Sequence, residues 1–238
     1  MEEAAAPLYS IGKMQPIVRQ TLSARVYQDL RELIMSGQVQ PGERLTLARM
    51  AAALGTSAMP VREAISRLAA DEALEILPNK SVRVPVMTRS RFQELVLIRL
   101  VVEGLAVETA APRITDKQLS ALAELEQAFE QEISQDNPDV DQIIQINKQL
   151  HFTAYAAAGM PSLSSLIEGL WLRIGPVLNL DLRNSASRRR SDLPSVTAHR
   201  ALLSAFRAGD GVAAKAALAR DIKGAAEVIL AGKGLRAD

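Results

Sequence analysis

Apolar residues recur at helical spacing at Leu22, Val26, Leu30, Leu33 and Ile34, which predicts a first helix ending at Gly37 and the Pro41-Gly42 turn. Ahead of it, residues 1–15 show no clear period and read as a flexible arm. A second short helix is expected from about Thr46 to Leu54, with Leu47, Met50, Ala51 and Leu54 inward and Gly55 placed for a left-handed C-cap. Ser57 then offers an N-cap, and Pro60 falls in the first turn, where its missing N–H costs nothing. Val61, Ala64, Ile65 and Leu68 line the inner side of this third helix to about Asp71. From Leu74 to Val86 the pattern changes, with Val82, Val84 and Val86 alternating beyond a turn at Pro78 to Ser81, so a small β-hairpin follows.

Beyond Thr88 the pattern is helical throughout, with breaks at Pro112, Asn137-Pro138, Gly159 to Pro161, within Ser185 to Pro194, and at Gly209 to Gly211. The segments 89–110, 115–135, 139–158, 162–183, 193–208 and 210–231 predict an antiparallel bundle of about six helices. The expected fold is therefore mainly α: a winged helix-turn-helix over 16–87 and an all-helical domain over 88–238. Leu95 to Ala111 is the most apolar stretch, but Arg99, Glu103 and Glu108 interrupt it. It falls short of the roughly 20 apolar residues that span a bilayer and reads as a buried helix.

Composition narrows the function. The 238 residues are 48% hydrophobic and 23% charged, enough for one large or two small cores. With 28 Lys and Arg against 27 Asp and Glu, the net charge of +1 excludes blanket attraction to nucleic acid or anionic lipid, so any basic face must be local. No cysteine means no disulfide, no thiolate nucleophile and no Cys-ligated metal, which suits a reducing cytoplasm. The first residues, Met1 to Pro7, lack the basic and apolar regions of a secretory signal, so a cytoplasmic location is expected.

Helix, tight turn, helix and wing form the arrangement whose second helix enters a DNA major groove, although pairs of short helices also occur in plain helical packing modules. The stretches Pro41 to Thr46, Leu54 to Ser57 and Met59 to Leu68 resemble the GntR family of bacterial transcription regulators over about residues 18–87. That resemblance implies that Ser57, Ala58, Met59 and Arg62 face the groove, with Thr46 near the DNA backbone and Asn79 and Lys80 at the wing tip. Ser57 and the free amides of the first helical turn make a phosphate anchor that Arg62 extends, and Arg67 and Arg83 are further candidates. Family members often carry Arg and Thr where this chain has Ala58 and Met59, so thymine-methyl contacts are expected there in place of bidentate guanine reading. The alternatives are a packing role for Met59 and solvated charges at Arg67 and Arg83. Residues 15–85 hold nine Lys and Arg against seven Asp and Glu, so a basic face needs segregation, and two copies would strengthen it.

Both histidines lie in the second half. On 139–158 the inward stripe carries Asn147 and His151, on 193–208 it carries His199, and on 210–231 it carries Asp221. Burying such groups unpaired costs several kcal/mol, so they are expected to converge, either on a divalent cation or on one another. Two imidazoles and a carboxylate suit Zn²⁺ first, with Mn²⁺, Ni²⁺ or Fe²⁺ as alternatives, and Asn147 adds a weaker oxygen. The rest of the chain resembles the FadR-type subgroup with its all-helical FCD effector domain. In many FCD domains an Asp and three His hold a metal at the positions of Asn147, His151, His199 and Asp221, with a small organic acid beside it. Here Asn147 replaces the usual Asp and Asp221 the usual third His, which keeps the carboxylate count and moves its place. Arg99, Tyr155 and Arg173 are candidate effector contacts, with Trp171 beside them, although Arg99 could equally pair with Glu103 four residues on.

The function these features imply is a ligand-responsive transcription regulator, a repressor rather than an enzyme, that binds operator DNA as a homodimer across a pseudo-palindrome. Two rivals use the same residues: a metalloenzyme with a two-His, one-carboxylate site, and a metal-free helical oligomerisation module.

Overall fold

The computed structural model describes residues 21–78, 81–184, 194–232 and 234–238, with the side chains of 180–184 and 194 left out. The predicted arm, the wing-tip residues Asn79 and Lys80 and the Ser-rich stretch after Asn184 lie outside the described residues. The first domain holds α1 (Leu22–Met35), β1 (Arg44–Leu45), α2 (Leu47–Ala53), α3 (Ala58–Ala70), β2 (Glu75–Ile76) and β3 (Val82–Arg83). Val26, Leu30 and Ile34 of α1 join Val61, Ala64, Ile65 and Leu68 of α3 in one core, so the position of α1 sets that of α3. Gly37 and Gly55, at φ +64° and +60°, close α1 and α2 in the left-handed region that Cβ-bearing residues avoid.

The hairpin is part of a three-stranded antiparallel sheet of order β1-β3-β2, in which Val82 pairs with both Leu45 and Ile76. Sequence pattern missed β1 because two residues carry no period and its partner lies about 40 positions away. Val82 and Val84 are buried as their alternation implies, while Val86 is partly exposed where the chain leaves the sheet.

Next come α4 (Arg89–Ala110), a 3₁₀ turn at Ala111–Arg113, α5 (Asp116–Ile133), α6 (Val140–Ala156), α7 (Pro161–Asn184), α8 (Pro194–Arg207) and α9 (Gly211–Ala231). α9 packs along both α4 and α8, while α5 lies beside α6 and α8. Side chains of Thr21, Thr46, Thr88, Thr115, Asp139 and Asp210 each accept a backbone N–H at the start of a helix, satisfying donors that helix geometry leaves free. The expected burial of α4 is corrected to one face. Phe92, Leu95, Arg99, Glu103, Ala106 and Val107 are inside, but Leu97, Ile98, Val101 and Leu105 are exposed.

The two domains touch at several points. Arg31 of α1 pairs with Glu168 of α7 at 2.6 Å, Lys148 of α6 pairs with Glu32, and Asn179 Nδ2 of α7 donates to the Met35 carbonyl at 2.7 Å. The connection at 87–89 is strapped by the chain end, with Arg89 N donating to Arg236 O at 3.1 Å and Arg236 N to Met87 O at 3.0 Å.

Candidate functional site

On the DNA-reading side, α3 keeps its apolar stripe inward and leaves Ser57, Ala58, Met59 and Arg62 exposed at its N-terminal end. Met59 is 59% exposed, so it does not serve as packing within this chain. Ser57 occupies the N-cap position of α3 without a side-chain cap bond, which leaves its hydroxyl for another partner. Thr46 caps α2 by accepting from Arg49 N. The Arg67 guanidinium sits 4.0 Å from the centre of the Tyr27 ring, a cation–π contact that binds it to α1. Arg83 pairs with Glu75 across the sheet. Within the first domain the structure therefore groups Ser57 to Arg62 at one helix end and gives Arg67 and Arg83 partners of their own.

In the second domain α6, α8 and α9 bring His151, His199 and Asp221 together, with one ligand atom from each lying within 4.8 Å of the others. Asp221 is central: Oδ2 is 3.2 Å from His151 Nε2 and Oδ1 is 3.8 Å from His199 Nε2. Two ligands on a tetrahedral ion with bonds of about 2.1 Å stand about 3.4 Å apart, so these separations are on the scale of a shared cation. Asn147 lies on the wall of the same cavity, about 80 Å³ in volume, together with Arg99, Trp171, Asn179 and Ala225. That space exceeds the room one water needs several-fold.

A buried chain of hydrogen bonds fixes the His151 ring. Arg99 donates to both oxygens of Glu103, from Nε at 2.6 Å and Nη2 at 3.1 Å, and Tyr155 Oη donates to Glu103 Oε2 at 2.6 Å. Having given its only proton to Glu103, the Tyr155 hydroxyl accepts from His151 Nδ1 at 3.1 Å. Burial and the Glu103 charge hold the Tyr155 pKa well above 10, so the phenol keeps that proton. His151 therefore carries hydrogen on Nδ1, and in the neutral ring the Nε2 lone pair points at a carboxylate 3.2 Å away. Two lone pairs facing across that gap need a cation or a second proton between them.

His199 has neither ring nitrogen bonded to a partner, and burial lowers its pKa from 6.5 to about 4 despite the attraction of Asp221. Burial alone would push Asp221 up, but the His151 hydrogen bond, both imidazoles and Arg99 hold it at about 2. The site thus offers a carboxylate and a neutral imidazole with a free lone pair, the states in which both bind metal. Trp171 Nε1 on the cavity wall is a buried donor with no partner.

Of the effector candidates, Arg99 reaches the cavity wall while paired with Glu103, and Tyr155 acts behind His151. Arg173 is not brought to this cavity. Two positions from Trp171 on α7, it points roughly 200° away, into a cleft between the domains beside Glu72 and Arg91. Asn179 is a polar group of this centre that the sequence does not single out, while Glu103, expected as a possible partner of Arg99, also receives Tyr155. Asn179 carried the same signal as Asn147, a polar residue among apolar ones.

A helix-turn-helix head docked on a helical bundle, with a cavity lined by Arg99, Asn147, His151 and Asp221, is a build suited to a transcription regulator. Residues 22–84 match the model of the bacterial regulatory proteins of the gntR family, and residues 94–224 match the FCD domain. The chain belongs to the GntR family of DNA-binding transcription regulators and carries an FCD domain. It is similar to the HTH-type transcriptional regulator McbR of Escherichia coli (strain K12), 35% identical over 168 residues, which is 71% of this chain and 74% of that protein. A solved structure of E. coli McbR/YncC superposes with a TM-score of 0.80 at 28% identity, covering 90% of this chain and 99% of that one. The Nta operon transcriptional regulator of Aminobacter aminovorans is 30% identical over 122 residues, 50% of this chain and 56% of that protein. These relatives are transcription regulators and not enzymes, which sets the metalloenzyme reading aside. Among the described residues no helix is long and apolar enough to cross a membrane.

Proposed function

We propose that the protein is a metal-dependent sensor of a small organic acid that represses transcription by binding a pseudo-palindromic operator as a homodimer. The working division is a DNA-binding domain at 16–87 and a sensing and dimerising domain at 88–238. Ser57, Ala58, Met59 and Arg62 meet the groove, with Thr46 and Lys80 near the phosphates. His151, His199 and Asp221 hold the divalent ion, Zn²⁺ before Mn²⁺, Ni²⁺ or Fe²⁺, and Asn147 adds an oxygen ligand. The ion supplies a fixed positive charge that a carboxylate ligand can share.

The observation that carries this reading is the convergence of His151 Nε2 on Asp221 Oδ2 at 3.2 Å while the buried His199 ring has no hydrogen-bond partner. Buried polar groups left unmatched in this way are rare unless something sits among them. The partnerless Trp171 Nε1 and the Arg99 guanidinium on the same wall favour a ligand rich in acceptor oxygens. For the dimer, the support is the exposed apolar stripe of α4, Leu97, Ile98, Val101 and Leu105, a kind of patch that marks a surface another protein covers.

Elemental analysis of protein purified without added metal tests the centre. About one divalent ion per chain is expected, falling below one in ten in His151→Ala and in Asp221→Ala. Wild-type protein free of metal would instead assign the proton between His151 and Asp221 to an imidazolium, making the cluster a hydrogen-bonded one. A mobility-shift series on DNA flanking its own gene tests the regulator, with a specific shift that candidate acids relieve as the expected result.

A further inference from the structure

The geometry points to Asn179 as the latch through which the state of the cavity reaches the DNA-binding domain, since this residue lies on the cavity wall and its side-chain amide bonds to the end of α1. This rests on the sensor reading above. Asn179 is 7% exposed, lines the cavity that holds His151, Asp221 and Asn147, and donates Nδ2–H to the Met35 carbonyl at 2.7 Å.

The end of a helix leaves its last carbonyls without partners. In α1 the earlier ones are met locally: Ser36 N donates to Glu32 O at 2.9 Å, Gln38 N to Leu33 O at 3.3 Å and Gly37 N to Ile34 O at 3.0 Å. Met35 is the next in the series, and its carbonyl takes the Asn179 amide from the other domain. The approach is close. A Cβ added at Gly37 would overlap the Asn179 side chain, and one added at Gly175, a turn earlier on α7, would stand 3.1 Å from the Met35 oxygen. Gly175 also lines the cavity, so the wall between the cavity and α1 is a single helix thick. Pro176 beside it has no N–H to give to Leu172, so α7 is held by fewer of its own bonds at this point.

A carboxylate entering the cavity presents acceptors stronger than a peptide carbonyl, and Asn179 is one of the residues that line the space it would fill. Nδ2 carries two hydrogens, so it is rotation of the side chain toward the ligand, rather than the new bond alone, that takes the amide off Met35. The end of α1 is then released, and with it α3, which shares its core. A net contribution typical of one such bond corresponds to an equilibrium change of about 2- to 10-fold between docked and released heads.

Hydrogen exchange of the backbone amides of Ser36 to Gln38, measured on the full-length protein, tests this. The conditions are chelator, Zn²⁺ alone, and Zn²⁺ with acetate or succinate, with Zn²⁺ affinity measured in parallel by calorimetry. In the wild type, Zn²⁺ with at least one of the acids speeds exchange at these amides. In Asn179→Ala exchange is about 2- to 10-fold faster already in chelator, the acids add nothing, and Zn²⁺ affinity stays within about twofold. Asn179→Leu, close in shape but without the donor or a charge, behaves alike and guards against misfolding of the first variant. Unchanged exchange in both variants overturns the latch, as does a wild type insensitive to either acid. A loss of Zn²⁺ affinity matching the change in exchange would make Asn179 a ligand instead. Failure of wild-type protein to bind Zn²⁺ would reject the metal reading, while the chelator measurement still decides whether Asn179 holds α1.

Discussion

At the residue scale the centre joins two groups whose ionisation works in opposite directions. His199 has a pKa of about 4 in the folded chain against 6.5 when free, because burial disfavours the imidazolium. The unfolded chain thus binds the extra proton between these values, so this contribution is complete above pH 6.5 and is lost as pH falls toward 4. Asp221, at about 2 against 3.8, adds a second loss only below pH 3.8. Glu126 on α5 does the reverse. Burial, with the neighbouring Glu130, raises it from 4.5 to about 7, and its Oε1 has no hydrogen-bond partner. The stability gained by keeping it protonated is present below pH 4.5 and disappears as pH rises through 7. Urea unfolding of chelator-treated protein at pH 4.5, 5.5, 7 and 8 separates the two. His199→Phe should flatten the acid-side decline, worth at most about 3 kcal/mol at 1.36 kcal/mol per pKa unit. Glu126→Gln should stabilise the protein by about 1–3 kcal/mol at pH 8, with the gain shrinking toward pH 5. A Glu126→Gln midpoint equal to wild type at pH 8 would show that this carboxyl is hydrated and ionised.

At the scale of single elements, α3 is the part whose role can be read most directly. Its inner face is apolar and its outer N-terminal end presents Arg62 beside the uncapped hydroxyl of Ser57. Arg62→Ala should weaken operator binding by about 1–3 kcal/mol if it reads a base, with the loss confined to one position of the site. If it holds a phosphate, binding weakens evenly and the salt slope falls by about 1. Titrations at two salt concentrations on the operator and on single-base variants distinguish these outcomes, and no change in either would remove Arg62 from the interface. The helices were legible in the sequence because 3.6-residue periods and turn residues such as Gly55 are local signals, although Ser57, expected as an N-cap, holds that position without a side-chain bond. So was convergence of His151, His199 and Asp221, since polar groups on inward apolar stripes need partners, although the stripes leave open whether a cation is among them. What stayed hidden depends on distant partners. β1 exists only against β3, and Arg99 left two roles open that the fold unites, a Glu103 ion pair and a place on the cavity wall. Arg173, a candidate effector contact from the sequence, is two residues from Trp171, and helical angle puts it on the other side of α7.

At the scale of the whole molecule, α4 joins the parts. Its inner face supplies Arg99 and Glu103 to the buried network, its N-terminal end is tied to the chain terminus through Arg236, and its outer face carries Leu97, Ile98, Val101 and Leu105 into solvent. The strap at 87–89 makes the linker a held joint rather than a free hinge, so movement of the DNA-reading head has to be argued from docking contacts such as Arg31–Glu168 and Asn179–Met35. A pseudo-palindrome needs two heads at fixed spacing, and a second copy meeting α4 with its own α4 would bury the same stripe on both sides, as two-fold symmetry demands. Leu97→Glu combined with Val101→Glu places two like charges on each side of that contact without touching Arg99, Glu103 or the cavity. Sedimentation should then give the mass of one chain where wild type gives two, with metal content and helical circular dichroism unchanged. Operator affinity should drop by about 100-fold or more, since linking two heads multiplies affinity by that order. If the double variant stays dimeric and keeps its affinity, the two copies meet elsewhere and the α4 stripe must be covered by another surface.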